Sequence, residues 1–220
     1  MTRNNNQDEM ISNVLKKIEV ISRRESLPSI GPIKRKIVED IIKKYKPKKI
    51  LEIGTLYGYS AILMANVLIK IYPRIRNNAI GSKSANNTVV TTIDINEKHR
   101  DIAALNIKDA GLSHVIEVIN GDALEVIPTL DSKFDLIFLD AIKSDYLKYL
   151  KLVETNKLVN QGYVVLADNV LIYDDEMTDF LDYVRHSGKF KSRTTQTTLE
   201  FTKHVKDALE VSASVCLNSK

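Results

Sequence analysis

The sequence predicts an α/β fold: a doubly wound, mostly parallel sheet with helices on both faces and an antiparallel hairpin at its C-terminal edge. Three observations predict it. Five apolar runs of strand length, at residues 50–53, 89–93, 115–119, 134–139 and 163–167, alternate with helical patterns, as strands covered on both faces by crossover helices do. The first run ends in a turn with two glycines, LEIGTLYGYSA over residues 51–61, and a helical pattern begins at once. Finally, after a helix carrying Met177, Phe180, Leu181 and Val184, two extended segments at residues 194–201 and 208–215 are joined by a short connection.

The elements follow in order. Residues 1–7 are polar and are expected to be disordered. From Asp8 onward Met10, Ile11, Val14, Leu15, Ile18 and Ile21 recur every three or four residues, one face of an amphipathic helix. Pro28, Gly31 and Pro32 break the chain, with Pro32 suited to a first helical position. Ile33, Ile37, Val38, Ile41, Ile42 and Tyr45 then give a second helix its stripe, which Pro47 stops. Gly111, Gly121 and Gly162 mark joints between helices, strands and loops. Residues 72–88 (YPRIRNNAIGSKSANNT) lack periodicity and read as a long loop. There is no internal repeat, and 220 residues suffice for one domain, with helices over residues 1–46 covering the site and a core over residues 47–220.

The net charge of +4 is unevenly spread. Residues 1–50 hold 13 Lys/Arg against 6 Asp/Glu, a balance of +7, and the remainder holds 19 against 22, or −3. A basic front can attract nucleic acid or an acidic substrate, but lysine-rich helix faces turned to solvent are the simpler reading. The single cysteine, Cys216, cannot form an intrachain disulfide, and no basic and apolar leader opens the chain, so a cytoplasmic location is expected. The longest apolar stretch, residues 61–71, is broken by Asn66 and Lys70 and is too short for a bilayer span, so no membrane association is expected. His99, His114, His186 and His204 lack ligand spacing, which excludes a zinc site.

In a doubly wound sheet ligands gather beyond the carboxyl ends of the strands. Here those ends carry Gly54 to Gly58, then Asp94, then Gly121, Asp122 and Ala123, then Asp140, then Asp168 and Asn169. Asp94 can accept the hydroxyls of a ribose, or cap the next helix together with Asn96. The loop lacks the third glycine that a dinucleotide pyrophosphate uses. Glu52, inside the strand two residues before the loop, suits instead a ligand with positive charge, such as the sulfonium and ammonium of S-adenosylmethionine. Asp140, Asp168 and Asn169 converge if the fourth and fifth strands are neighbours, and oxygen-only ligands suit a hard cation such as Mg²⁺. Lys143, three residues after Asp140, faces the same side of an opening helical turn. Beside a divalent cation its pKa can be lowered so that it serves as a general base.

Taken together, LEIGTLYGYSA, TTID, GDALEVIPTL, FDLIFLDAIKSDY and GYVVLADNV resemble the cation-dependent O-methyltransferases that include catechol O-methyltransferase and caffeoyl-CoA O-methyltransferase. The resemblance covers residues 50–170, and L-E-I-G-x-x-x-G-Y-S followed by D-A-x-K-x-x-Y and A-D-N carries it. It implies a seven-stranded, Rossmann-like class I methyltransferase fold in which Glu52, Gly54, Gly58, Ser60, Asp94 and Ala123 contact S-adenosylmethionine, with Asp122 beside them. Asp140 would lie between cofactor and metal, Asp140, Asp168 and Asn169 would bind Mg²⁺, and Lys143 would be the base. The implied reaction methylates a hydroxyl of a vicinal dihydroxy aromatic small molecule, and the family habit implies a homodimer. Ala141 and Ile142 stand where the animal enzyme has the bulky aromatic pair that walls its catechol pocket. Two alternatives remain: a tRNA hydroxyuridine acceptor, which some relatives methylate and which the basic front would suit, or an S-adenosylmethionine-binding module without catalysis, its acidic strand ends serving as turn residues.

Overall fold

A computed structural model of the chain describes residues 2–77, 87–202 and 204–215. Seven strands, β1 (Ile50–Ile53), β2 (Val90–Asp94), β3 (Ile116–Asn120), β4 (Phe134–Leu139), β5 (Val159–Ala167), β6 (Phe190–Thr198) and β7 (Lys206–Ser214), form one sheet in the order β3-β2-β1-β4-β5-β7-β6. The first five are parallel, and β7 runs antiparallel to both β5 and β6. The order reverses between β1 and β4, the switch point at which such sheets open a crevice. Ile53 pairs with both Ile93 and Leu139, and Leu139 with Ala167. That register lines up Gly54, Asp94, Asp140 and Asp168 along one edge.

Helices α1 (Thr2–Glu25), α2 (Gly31–Tyr45), α3 (Tyr59–Ile71) and α5 (Glu97–Asp109) bury their apolar stripes on one face of the sheet, while α6 (Ala123–Val126), α7 (Tyr146–Thr155) and α8 (Thr178–His186) cover the other. The period of two along the strands sorts side chains between the layers. In β4, Leu136 and Phe138 join the first cluster and Ile137 and Leu139 the second; in β5, Val164 and Leu166 join the first and Val165 and Ala167 the second. Asp140 and Asp168, one step beyond, fall in phase with the face under α2. Glu52 shares the phase of Ile50 and lies under α3.

Several expectations need correction. Residues 2–7, expected to be disordered, are helical instead: α1 begins at Thr2, and the Gln7 amide donates to the Gly111 carbonyl; residue 1 lies outside the described residues. Within the expected loop at 72–88, Pro73–Asn77 is helical (α4), its proline taking the first position where no N–H is needed; the rest of that segment up to residue 86 lies outside the described residues, as does Cys216. Gly162 sits inside β5 rather than at a joint, where the pairing jumps from Phe134–Val159 to Leu136–Val164. The first hairpin strand begins at Phe190, because its polar residues pair with β7 along nine positions and backbone pairing needs no apolar pattern. In α2 the buried stripe is Gly31, Lys34, Val38, Ile41 and Ile42, while Ile33 is 37% exposed.

Candidate functional site

The turn after β1 is held from its neighbours. Gly54 has φ +102°, and a Cβ there would overlap the Asp140 carbonyl, so β1 and β4 approach at a point where only glycine fits. Asp94 Oδ2 accepts the Thr55 and Leu56 N–H groups at 3.1 and 2.8 Å, and its Oδ1 accepts Asn96 N–H at 2.8 Å. A carboxylate has about four lone-pair sites; three are taken, so Asp94 keeps capacity for one further donor rather than for both hydroxyls of a ribose. The helix cap falls to Asn96, which accepts from Lys98 and His99. Gly58 begins α3 without a side-chain cap. Above this turn lies a cavity of about 220 Å³ lined by Gly54, Ser60, Asp94, Asp122, Ala123 and Asp140 among others. Six of the eight expected cofactor residues therefore share one cavity; Gly58 and Glu52 support it from behind.

Glu52 is fully buried. Burial pushes its carboxyl up to about 8, helped by the charges of Asp140 and Asp94 and opposed by the Ser60 and Thr92 hydroxyls. Those hydroxyls complete no well-formed hydrogen bond to Glu52, whose two oxygens lack a partner, and Thr92 bonds the Thr55 hydroxyl instead. Between its ordinary value of 4.5 and about 8 the unfolded chain ionises here while the folded one keeps the proton, so this group's contribution to stability falls as pH rises. In ligand-free protein, Glu52→Gln should therefore melt increasingly above wild type from about pH 5 to about pH 8, with a gain of roughly 3 kcal/mol near pH 7. Melting curves that stay parallel across that range would contradict this.

Asp140, Ala141 and Ile142 also border a second cavity of about 760 Å³, which Lys34, Lys143, Asp168, Asn169 and Glu200 line as well. Lys143 opens a turn of 3₁₀ helix after β4, its Nζ 3.1 Å from Asp140 Oδ1 and 2.7 Å from the Tyr146 hydroxyl. The phenol donates in turn to the Leu139 carbonyl at 2.9 Å. Burial lowers the Lys143 pKa, but the Tyr146 hydroxyl, Asp140 and Asp168 more than reverse this and hold the ammonium above its ordinary value. The lowering expected beside a divalent cation concerns a different state from this one, in which Asp140 faces the lysine directly. Asp168, buried, is pushed above the usual carboxylate range by desolvation and Asp140, against the pull of Lys34.

Three further groups were not read from the sequence. Lys34, 1% exposed, reaches Asp168 Oδ1 and Oδ2 at 2.7 and 2.8 Å and Asp207 Oδ2 at 2.7 Å. Asn169 Nδ2 donates to that same Asp207 oxygen at 2.8 Å. Glu200 accepts the Lys34 backbone N–H at 2.8 Å and so caps α2, whose own preceding residue Ile30 offers no side-chain cap. The one available signal was Lys34 itself, a lysine four residues before Val38 in phase with the apolar stripe. Asp207 and Glu200 gave none, because their partners lie far away along the chain.

The expected metal set is two carboxylates and an amide at adjacent strand ends. Among the described residues no group of three or more His, Cys, Asp or Glu is arranged to hold a metal, so the amide of Asn169 is needed to complete it. The surroundings fit a divalent cation: the carboxylates of Asp140, Asp168 and Asp207 face the two ammonium groups of Lys34 and Lys143, Glu200 adds a fourth carboxylate on the Lys34 backbone N–H, and Asp207 Oδ1 and Glu200 Oε2 are buried without partners.

A glycine turn at the switch point, a cavity above it and a second cavity joined to it through Asp140 define the class I methyltransferase architecture. The family model described as O-methyltransferase matches residues 5–214. The chain is 33% identical to catechol O-methyltransferase of Mus musculus over 194 residues, 86% of this chain and 66% of that protein. It is 32% identical to catechol O-methyltransferase of Sus scrofa over 192 residues, 85% of this chain and 93% of that one. An O-methyltransferase from Bacillus cereus in complex with SAH is similar in structure, with a TM-score of 0.74 and 25% identity over 92% of this chain and 91% of that one. The chain belongs to the O-methyltransferase family. It spans just under two thirds of the length of the mouse protein. Among the described residues no helix is long and apolar enough to cross a membrane.

Proposed function

We propose that the chain is an S-adenosylmethionine-dependent O-methyltransferase acting on a vicinal dihydroxy aromatic small molecule, with a divalent cation such as Mg²⁺ held by Asp140, Asp168 and Asn169. One observation carries the reading: Asp140 borders both cavities, with the Lys143 ammonium 3.1 Å away on the acceptor side. The glycine turn, Ser60, Asp94, Asp122 and Ala123 would hold the methyl donor, with Glu52 behind them giving up its proton as the donor's positive charge arrives. The SAH-bound relative from Bacillus cereus supports S-adenosylmethionine as the donor. Residues 1–46 would form a cover over the site and residues 47–220 its core.

Asp140, Asp168 and Asn169 would hold the cation, which would supply Lewis acidity to the acceptor hydroxyl and offset the charge of Asp140 and Asp168 that keeps Lys143 protonated. Lys143 would first release its own proton to solvent, and its neutral Nζ, held in position by the Tyr146 oxygen, would then take the hydroxyl proton. The acceptor oxygen bonds to the methyl carbon as the carbon–sulfur bond breaks, leaving S-adenosylhomocysteine and a methyl ether. The two cavities share their wall at Asp140, Ala141 and Ile142, which favours direct transfer without a covalent enzyme intermediate.

Part of the basic front is engaged locally, in Lys34 with its buried carboxylates, Arg35 and Lys43 with Glu39, and Lys17 with Asp109. That favours a small acceptor over tRNA. The test is methyl transfer to a panel of vicinal dihydroxy aromatics and their monohydroxy counterparts, before and after exhaustive chelation. The expected result is turnover of the dihydroxy compounds alone, lost on chelation and regained with Mg²⁺. Turnover indifferent to chelation rejects the cation, and S-adenosylhomocysteine binding without transfer to any acceptor favours the non-catalytic module.

A further inference from the structure

Among the described residues, Lys34 is the one fully buried ammonium that the methyl transfer set out above leaves unused. Its three donors are all taken, two by the oxygens of Asp168 and one by Asp207 Oδ2. Asp207 fixes the Asn169 amide through Nδ2 with the same oxygen, which leaves Oδ1 as that side chain's ligating atom. Two of the three proposed cation ligands thus depend on one side chain, Asp168 directly and Asn169 through Asp207. A lone ammonium between two buried carboxylates leaves one negative charge and Asp207 Oδ1 without a partner, a poor arrangement for stability by itself. The same arrangement fixes the rotation of both ligands, as outer partners of metal sites do.

We propose, on the reading that Asp140, Asp168 and Asn169 hold a divalent cation, that Lys34 is the positioning residue of that site, orienting Asp168 and, through Asp207, Asn169. The sign of the effect separates this role from simple electrostatics. Removing a positive charge beside a cation site tightens cation binding by Coulomb attraction, whereas losing a positioning residue weakens it.

The experiment is calorimetric titration of the full chain with Mn²⁺. Lys34→Met is expected to bind Mn²⁺ at least ~10-fold more weakly than wild type, Lys34→Arg to recover most of that loss, and S-adenosylhomocysteine affinity to stay unchanged, since Lys34 does not line the cofactor cavity. Unchanged or tighter Mn²⁺ binding in a folded Lys34→Met protein overturns the proposal while leaving the cation reading intact. Wild-type protein that binds no Mn²⁺ overturns both. Should Lys34→Met fail to fold, Lys34→Gln, whose amide still donates to one carboxylate, must show the same weakening.

Discussion

Lys143→Met is expected to fold and to bind S-adenosylhomocysteine as wild type does, yet to lose turnover by ~10²–10⁴-fold, the usual contribution of a general base. The lysine borders the second cavity, proposed for the acceptor, and not the first, proposed for the cofactor, which is why binding and catalysis should separate. Lys143→Arg is the decisive companion. It keeps the positive charge beside Asp140 but cannot give up a proton near neutral pH. If Nζ accepts the hydroxyl proton, arginine stays as inactive as methionine; if the lysine serves only as a counter-charge, arginine restores most of the rate. Rates from single-turnover methyl transfer distinguish the two.

Gly54→Ala is expected to abolish S-adenosylhomocysteine binding and to cost about 2 kcal/mol or more of stability. A Cβ at this position meets the Asp140 carbonyl well inside contact distance, and the backbone there has φ +102°, where side chains are strained. Either the turn or the end of β4 has to move. The turn carries the N–H groups that Asp94 clamps, and the end of β4 carries Asp140 and the step to Lys143. One methyl group would thus disturb both cavities, a result visible as flat calorimetry together with a lowered melting temperature. Wild-type affinity in this variant would show that the turn is not where the donor sits.

The strand ends were legible because their chemistry is local. An apolar run closing on Asp94, Asp140 or Asp168 announces both the strand and the residue beyond it, and the parallel order follows from the helices between. Tyr146 was visible in the D-A-x-K-x-x-Y spacing, though not its contact with Lys143. Asp207 and Glu200 were invisible, because a carboxylate in a hairpin looks the same whether it meets water or an ammonium from the second helix. Lys34 misled for a similar reason: a lysine in an apolar stripe is usually taken as solvent-facing, and only its partners reveal a buried charge. Without a cation Lys143 is held above its ordinary value, because Tyr146 and Asp140, whose distances no sequence gives, outweigh its burial; the lowering expected beside a divalent cation concerns a different state of the site.

Glu200 caps a helix that begins about 170 residues earlier, at Gly31. During synthesis α2 therefore emerges long before its cap exists, whereas the cofactor turn needs only the strands through β4. The first cavity is lined by residues no later in the chain than Tyr149, but the second also takes residues 199–202 for its wall, so it closes only when β6 and β7 have docked, a long-range contact of the kind that slows folding. Shortening the hairpin from the C-terminal side should accordingly spare recognition of the nucleoside and leave the first turn of α2 loose.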